Sequence, residues 1–234
     1  MRFQTKNGVL IAQANGETLR IEPWGKDSLR VRATMLPEFS GKDWALTEVP
    51  EKTEAKAEQF EVDHLEIDGS MGKRTSASIT NGKIRAVVNF AGVITFYKEE
   101  QEILREYHRC YDGTISKESR CLKTVNREWK GVIGGSEYSL NLKFESNDEE
   151  KIFGMGQYQQ KYMDLKGCTR ELAQRNSQIS VPFAVSGLGC GMLWNNPAVG
   201  QVTFGKNYTE WTARSTKDMD YWLTAADTPK EILE

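Results

Sequence analysis

The chain has 234 residues, enough for one large all-β domain or two small ones, and its 38% hydrophobic content can furnish a core. A formal net charge of −2 gives no electrostatic case for nucleic acid or an anionic membrane as a partner. No apolar run reaches the length of a signal-peptide core or a membrane span, so the expected location is cytoplasmic.

Residues 9–14 form a compact apolar run ended by Asn15-Gly16. That pair suits a type I′ hairpin turn, in which both central residues need positive φ. Residues 18–21 and 28–33 alternate polar and apolar, the period of half-buried strands. From 35 to 56 the alternation disappears, and Pro37, Phe39, Gly41, Trp44 and Pro50 mark a long loop. Loops of that length inside a domain are uncommon and often functional. Alternation resumes over 60–67 and continues through 76–79, the Asn81-Gly82 turn and 83–88. The Ala91-Gly92 turn then leads into 93–97, completing an antiparallel meander. Residues 99–108 are charged enough for a helix but flanked by strand signals, so a helix and a strand pair are equally compatible. Residues 138–144 alternate clearly, and the acidic cluster 147–150 reads as a solvated turn. No long segment carries the 3.6-residue period of a helix. The predicted fold is all-β, a large antiparallel β-sandwich.

Chemistry-bearing motifs are sparse. Cys110, Cys121, Cys168 and Cys190 form no CxxC pair, and with only His64 and His108 available no zinc pattern arises, so neither metal nor cofactor is expected. The thiols read as buried and free. There is no GxSxG, HExxH or P-loop, and Gly154-Met155-Gly156 lacks the third glycine and helix of a nucleotide fingerprint. His64 reads as a strand surface residue. Of the six tryptophans, most should pack in the core; Trp44 stands apart because it lies in the long loop, whereas Trp222 sits in a strand pattern. Gln174, Arg175, Asn176 and Ser177 precede an apolar strand, either as an ordinary turn or as directional partners for sugar hydroxyls. Near the end, Thr228, Pro229 and Glu231 occupy the N-cap, N1 and N3 positions of a capping box. One helical turn cannot sustain itself, so a further domain is expected to follow.

Several of these stretches carry a family resemblance. Gly154-Met155-Gly156-Gln157, the run from Gln174-Arg175-Asn176 through Val181-Pro182-Phe183, and Gly191-Met192-Leu193-Trp194-Asn195-Asn196-Pro197 resemble the amino-terminal domain of glycoside hydrolase family 31. Asp220-Tyr221-Trp222 and the segment 227–232 extend the likeness. It is specific over 151–234 and agrees in strand layout before that. The resemblance implies a galactose-mutarotase-like supersandwich over 1–227 and, at 228–234, the start of a linker helix to a (β/α)8 barrel absent from this chain.

It also implies an α-glucosidase or α-xylosidase acting on oligosaccharides, with retaining chemistry performed by two aspartates on that barrel. No catalytic residue is then expected in this chain, which should be inactive alone. Arg175-Asn176 falls where the family carries Arg-Asp; asparagine keeps a hydrogen-bonding head but loses the charge. Together with Gln174, and with Trp44 as the tip of the variable loop 39–46, these are the candidate substrate-binding residues. Two other readings are a free-standing carbohydrate-binding sandwich and an aldose mutarotase, for which His108 and a carboxylate would have to supply the acid and base.

Overall fold

The computed structural model describes residues 1–46, 54–65, 70–109 and 124–233. Cys110, Cys121, the far part of the 35–56 loop and the last two residues of the 60–67 strand reading lie outside the described residues.

Strands β1 (Arg2–Lys6), β2 (Val9–Ala14), β3 (Glu17–Pro23) and β4 (Ser28–Thr34) open the chain as a meander. Asn15 and Gly16 both have positive φ, 52° and 83°, as the hairpin between β2 and β3 requires. A second meander follows: β5 (Lys56–Leu65), β6 (Met71–Asn81), β7 (Ile84–Val88), β8 (Ile94–Lys98) and β9 (Gln101–Arg105). The ambiguous 99–108 stretch is therefore extended. Ile103 is buried against the core and Glu106 N–H donates to the Ile94 carbonyl, so packing across the sheet overrides local helix propensity. The remaining strands are β10 (Arg127–Gly131), β11 (Tyr138–Glu145), β12 (Ile152–Gln157), β13 (Thr169–Leu172) and β14 (Ile179–Ser186). After them come β15 (Cys190–Trp194), β16 (Gly200–Phe204), β17 (Tyr208–Thr216), β18 (Asp218–Ala225) and the short helix α1 (Pro229–Leu233).

All pairings are antiparallel and build three sheets. The largest has the order β1-β2-β3-β4-β18-β15-β14-β12, and the others run β10-β11-β17-β16-β13 and β5-β6-β7-β8-β9. A bridge between Glu106, just beyond β9, and Phe144 of β11 joins the two five-stranded sheets, so the molecule is a sandwich of two layers. Alternating residues of β4 and β18 (Leu29, Val31, Ala33, Met219, Tyr221, Leu223) face inward and are fully buried. Aromatic contacts stitch the layers together: Trp194 stacks on Trp211 at 5.7 Å, and Tyr221 meets Phe144 edge-on at 5.9 Å and Phe96 at 6.3 Å. Such pairs add about 0.5–1.5 kcal/mol each beyond the area they bury.

A buried ion cluster lies within this frame. Arg127 donates to both carboxylate oxygens of Glu106 at 2.6 Å and to Glu17 at 3.0 Å, while Asn126 and Ile94 N–H complete the shell of Glu106. The acidic turn at 147–150 is only partly solvated. Glu150 is buried, accepting from Ser186 Oγ at 2.6 Å and Lys166 at 3.2 Å.

Candidate functional site

The eight-stranded sheet sets where the loops emerge. Thr34, the last residue of β4, pairs with Asp218, the first of β18; Gln157, the last of β12, pairs with Ile179, the first of β14. Trp194 closes β15 at that same end. The loops following β4 and β15 and the loop preceding β14 therefore all leave one end of the sheet. Trp44 and the run from Gln174 to Asn176, far apart in sequence, belong to that end.

The Trp44 loop is clamped to the outer face of the sheet. Arg30 is only 1% exposed, yet its guanidinium grips Asp220 through two bonds of 3.0 and 2.6 Å and reaches Asp43 at 2.8 Å. Trp24 covers it, ring centroid 4.6 Å from the guanidinium carbon. Asn195 donates from Nδ2 to Asp220 (2.7 Å) and to the Asp43 carbonyl (3.0 Å), and accepts from Ala45 N–H at 3.0 Å. Burial pushes the Asp220 carboxyl above its ordinary range, while the bonds from Arg30 and Asn195 oppose the shift. Both neighbours of Trp44 are thus tied to Asn195, and Trp44 itself takes a left-handed φ of 48° with half its surface exposed. An open cleft of about 400 Å³ lies beside it, lined by Trp44, Ser40, Lys42, Glu137, Asn195 and Lys217. From sequence Asn195 looks like a scaffold turn; its clamping role depends on Asp43 and Asp220, remote residues no local pattern reveals.

The other candidates sit on a tight turn. Gln178 N–H donates to the Arg175 carbonyl at 3.1 Å, and Ser177 adopts φ 68° to close it. Gln174 exchanges two bonds with the Ser180 backbone, 2.8 and 3.2 Å. Arg175 forms a two-pronged pair with Glu171 at 2.7 Å for both bonds, and its hydrogen bond holds the Glu171 carboxyl below the ordinary range. Tyr158 Oη bonds both the Glu171 carbonyl and Ser180 Oγ at 2.8 Å, bracing the base of the turn. Asn176, exposed at the tip, has no side-chain partner among the described residues. All three polar candidates are exposed; Gln174 and Arg175 are occupied in holding the turn, and the amide of Asn176 is the one left without a side-chain partner among the described residues.

The glycines of Gly154-Met155-Gly156 serve the backbone. A Cβ on Gly154 would lie 2.4 Å from the Phe183 carbonyl oxygen, and one on Gly156 2.2 Å from that of Ile179. The register between β12 and β14 slips there, and Met155, at φ 69°, turns into the core. This is a β-bulge that lets two backbones approach closely.

No family model matches the chain. Individual proteins do. An uncharacterized family 31 glucosidase of Pseudescherichia vulneris is 45% identical over 225 residues, which are 92% of this chain and 40% of that protein. The crystal structure of a GH31 α-xylosidase from a soil metagenome, complexed with xylose, superposes with a TM-score of 0.88 at 46% identity, over 99% of this chain and 33% of its own. These homologues indicate a fragment of a glycoside hydrolase family 31 protein. α-Xylosidase A of Aspergillus niger is 29% identical over 96% of the chain and 30% of its own length. The chain thus spans two fifths or less of these family 31 relatives, and the likeness covers the first strands as well as the motifs after residue 151. A Flavobacterium johnsoniae GH31 dextranase, 15% identical at a TM-score of 0.65, shares the fold alone.

Proposed function

We propose that the chain is the β-sandwich portion of a longer retaining α-glycosidase that removes terminal α-linked xylose or glucose from oligosaccharides. In this reading the sandwich shapes the rim of the sugar pocket, and the two catalytic carboxylates belong to a barrel domain outside the 234 residues. The observation that carries it is the uncommitted amide of Asn176, held at the tip of a turn that Gln174 and Arg175 brace. A neutral amide on a stiff turn suits a sugar hydroxyl, which both donates and accepts. Trp44, fixed on the same end of the sheet, offers a flat apolar face of the kind sugars stack on.

Hydrolysis of p-nitrophenyl α-xyloside and α-glucoside tests the reading. The longer parent protein should release p-nitrophenol from at least one of them, and the 234-residue chain should release none above buffer. Turnover by the chain alone, retained through a second purification, would overturn it.

A further inference from the structure

Four segments meet beside Trp44, and three of them are tied to the fourth, the turn between β17 and β18. From the Trp44 loop, Ser40 N–H donates to Asp218 Oδ2 at 2.8 Å. Asn196, just after β15, donates from Nδ2 to Thr216 Oγ1 at 3.0 Å and to the Asp218 carbonyl at 3.1 Å. Ser215 Oγ donates to the carboxylate of Glu137, which precedes β11. Thr34 at the end of β4 also holds the turn, its hydroxyl donating to the Lys217 carbonyl at 2.9 Å. The cleft of about 400 Å³ lies among these braced segments. Its size falls within the range of about 300–1,000 Å³ usual for small-molecule sites.

The lining specifies the chemistry of a ligand. Trp44 is half exposed at φ 48°, an outlier for so bulky a residue and one that persists only where its surroundings over-determine it. Lys42 and Lys217 line the cleft, exposed and in no ion pair among the described residues. Glu137 and Asp218 line it too, so two positive charges meet two negative ones and the site favours neither an anion nor a cation. Asp220 adds no free charge, being paired with Arg30. Asp218 Oδ1 is buried with no hydrogen-bond partner among the described residues, an acceptor still in want of a donor. An aromatic face ringed by both donors and acceptors, with no net charge, suits a neutral polyhydroxyl ring.

We infer that this cleft is a saccharide site belonging to the sandwich itself, where one ring of a neutral oligosaccharide stacks on Trp44 and its hydroxyls meet Lys42, Lys217, Glu137 and Asp218. The inference rests on the proposed function for the choice of a sugar, and deepens it by giving the chain a binding step that needs no barrel. Because the walls are braced before a ligand arrives, little is left to order on binding.

Nuclear magnetic resonance titration of the 234-residue chain tests this without reference to catalysis, with maltotriose and an α-xylose-bearing gluco-oligosaccharide as probes. At least one should shift the Trp44 indole N–H and the backbone N–H groups of Ser40 and Lys217 in a saturable way. Trp44→Ala should weaken that binding roughly 2- to 10-fold, and Trp44→Phe, which keeps a flat face, should restore part of it. Raising the salt concentration should leave the affinity unchanged, as a neutral ligand requires. Absence of shifts at the cleft with both probes overturns the inference. So does binding that Trp44→Ala leaves intact, which places the sugar elsewhere, and so does saturable binding of inorganic phosphate at Lys42 and Lys217 in place of sugar. The hydrolysis assay on the parent protein does not enter this result, so the two claims fall separately.

Discussion

Arg127 shows how individual charged residues are tolerated in this interior. It is buried between Glu106 and Glu17, and both carboxylates, with Asn126 and two backbone groups, satisfy its hydrogen-bonding capacity and that of Glu106. Breaking one partner strands the other, so Glu106→Gln should lower stability by about 3–5 kcal/mol, measured by urea unfolding. The Glu171–Arg175 pair differs because it is exposed, and its consequence is conformational. Arg175 holds the Glu171 carboxyl below its ordinary value, so the folded pKa lies under the unfolded one. The constraint on the turn is then complete above about pH 4.3, the unfolded value, and is lost as pH falls through the lower folded value. Exchange of the Gln178 N–H should therefore accelerate only in acid, while a Glu171→Gln variant should show fast exchange already at neutral pH. Gln174, Arg175 and Asn176 were all legible as polar candidates at a strand mouth. Their separation into two braces and one free amide was not, because it depends on Ser180 backbone atoms and on the side chain of Glu171.

At the scale of elements, the turn signals and two-residue alternation located most strands, because sheets with one buried face print their pattern directly on the sequence. The β9 segment did not yield to that logic: its composition suits a helix as well, and the decision rests with Ile103 and the Glu106 backbone packing across the sheet. α1 is the reverse case. Its capping box is present as the sequence indicates, Glu231 accepting from Thr228 N–H at 3.1 Å and Thr228 Oγ1 from Glu231 N–H at 3.3 Å. Five residues cannot hold a helix by caps alone, and the seat of Ile232 on Gly191 supplies the rest. Gly191→Ala should unseat α1 and cost about 1–3 kcal/mol, read as a lowered melting temperature together with faster exchange at the Ile232 N–H. The loop bearing Trp44 has a similar dependence on a remote residue. Asn195→Ala removes both clamps from Asp43 and Ala45, and the Trp44 indole emission should shift to longer wavelength with little change in the remaining secondary structure.

Taken as a whole, the molecule is a two-layer sandwich that presents Trp44 and the Asn176 turn at one end of its largest sheet. Its fold and family were within reach of the sequence, since alternation, hairpin turns and the stretch from Gly154 to Phe183 all pointed the same way. The role of the glycines was not: the sequence excludes a nucleotide fingerprint at Gly154-Met155-Gly156, and only the structure shows that the backbone uses them for the bulge between β12 and β14. In the proposed function the sandwich contributes Asn176 to the rim of the sugar pocket, and the reacting groups belong to the barrel. Kinetics of the longer parent protein carrying Asn176→Ala, with p-nitrophenyl α-xyloside or whichever glycoside it hydrolyses, measure this most directly. Loss of one hydrogen bond to the sugar should lower kcat/KM by roughly 2- to 10-fold, the equivalent of about 0.5–1.5 kcal/mol, with the unfolding midpoint unchanged. Wild-type kcat/KM in that variant would contradict a place for Asn176 on the rim of the sugar pocket.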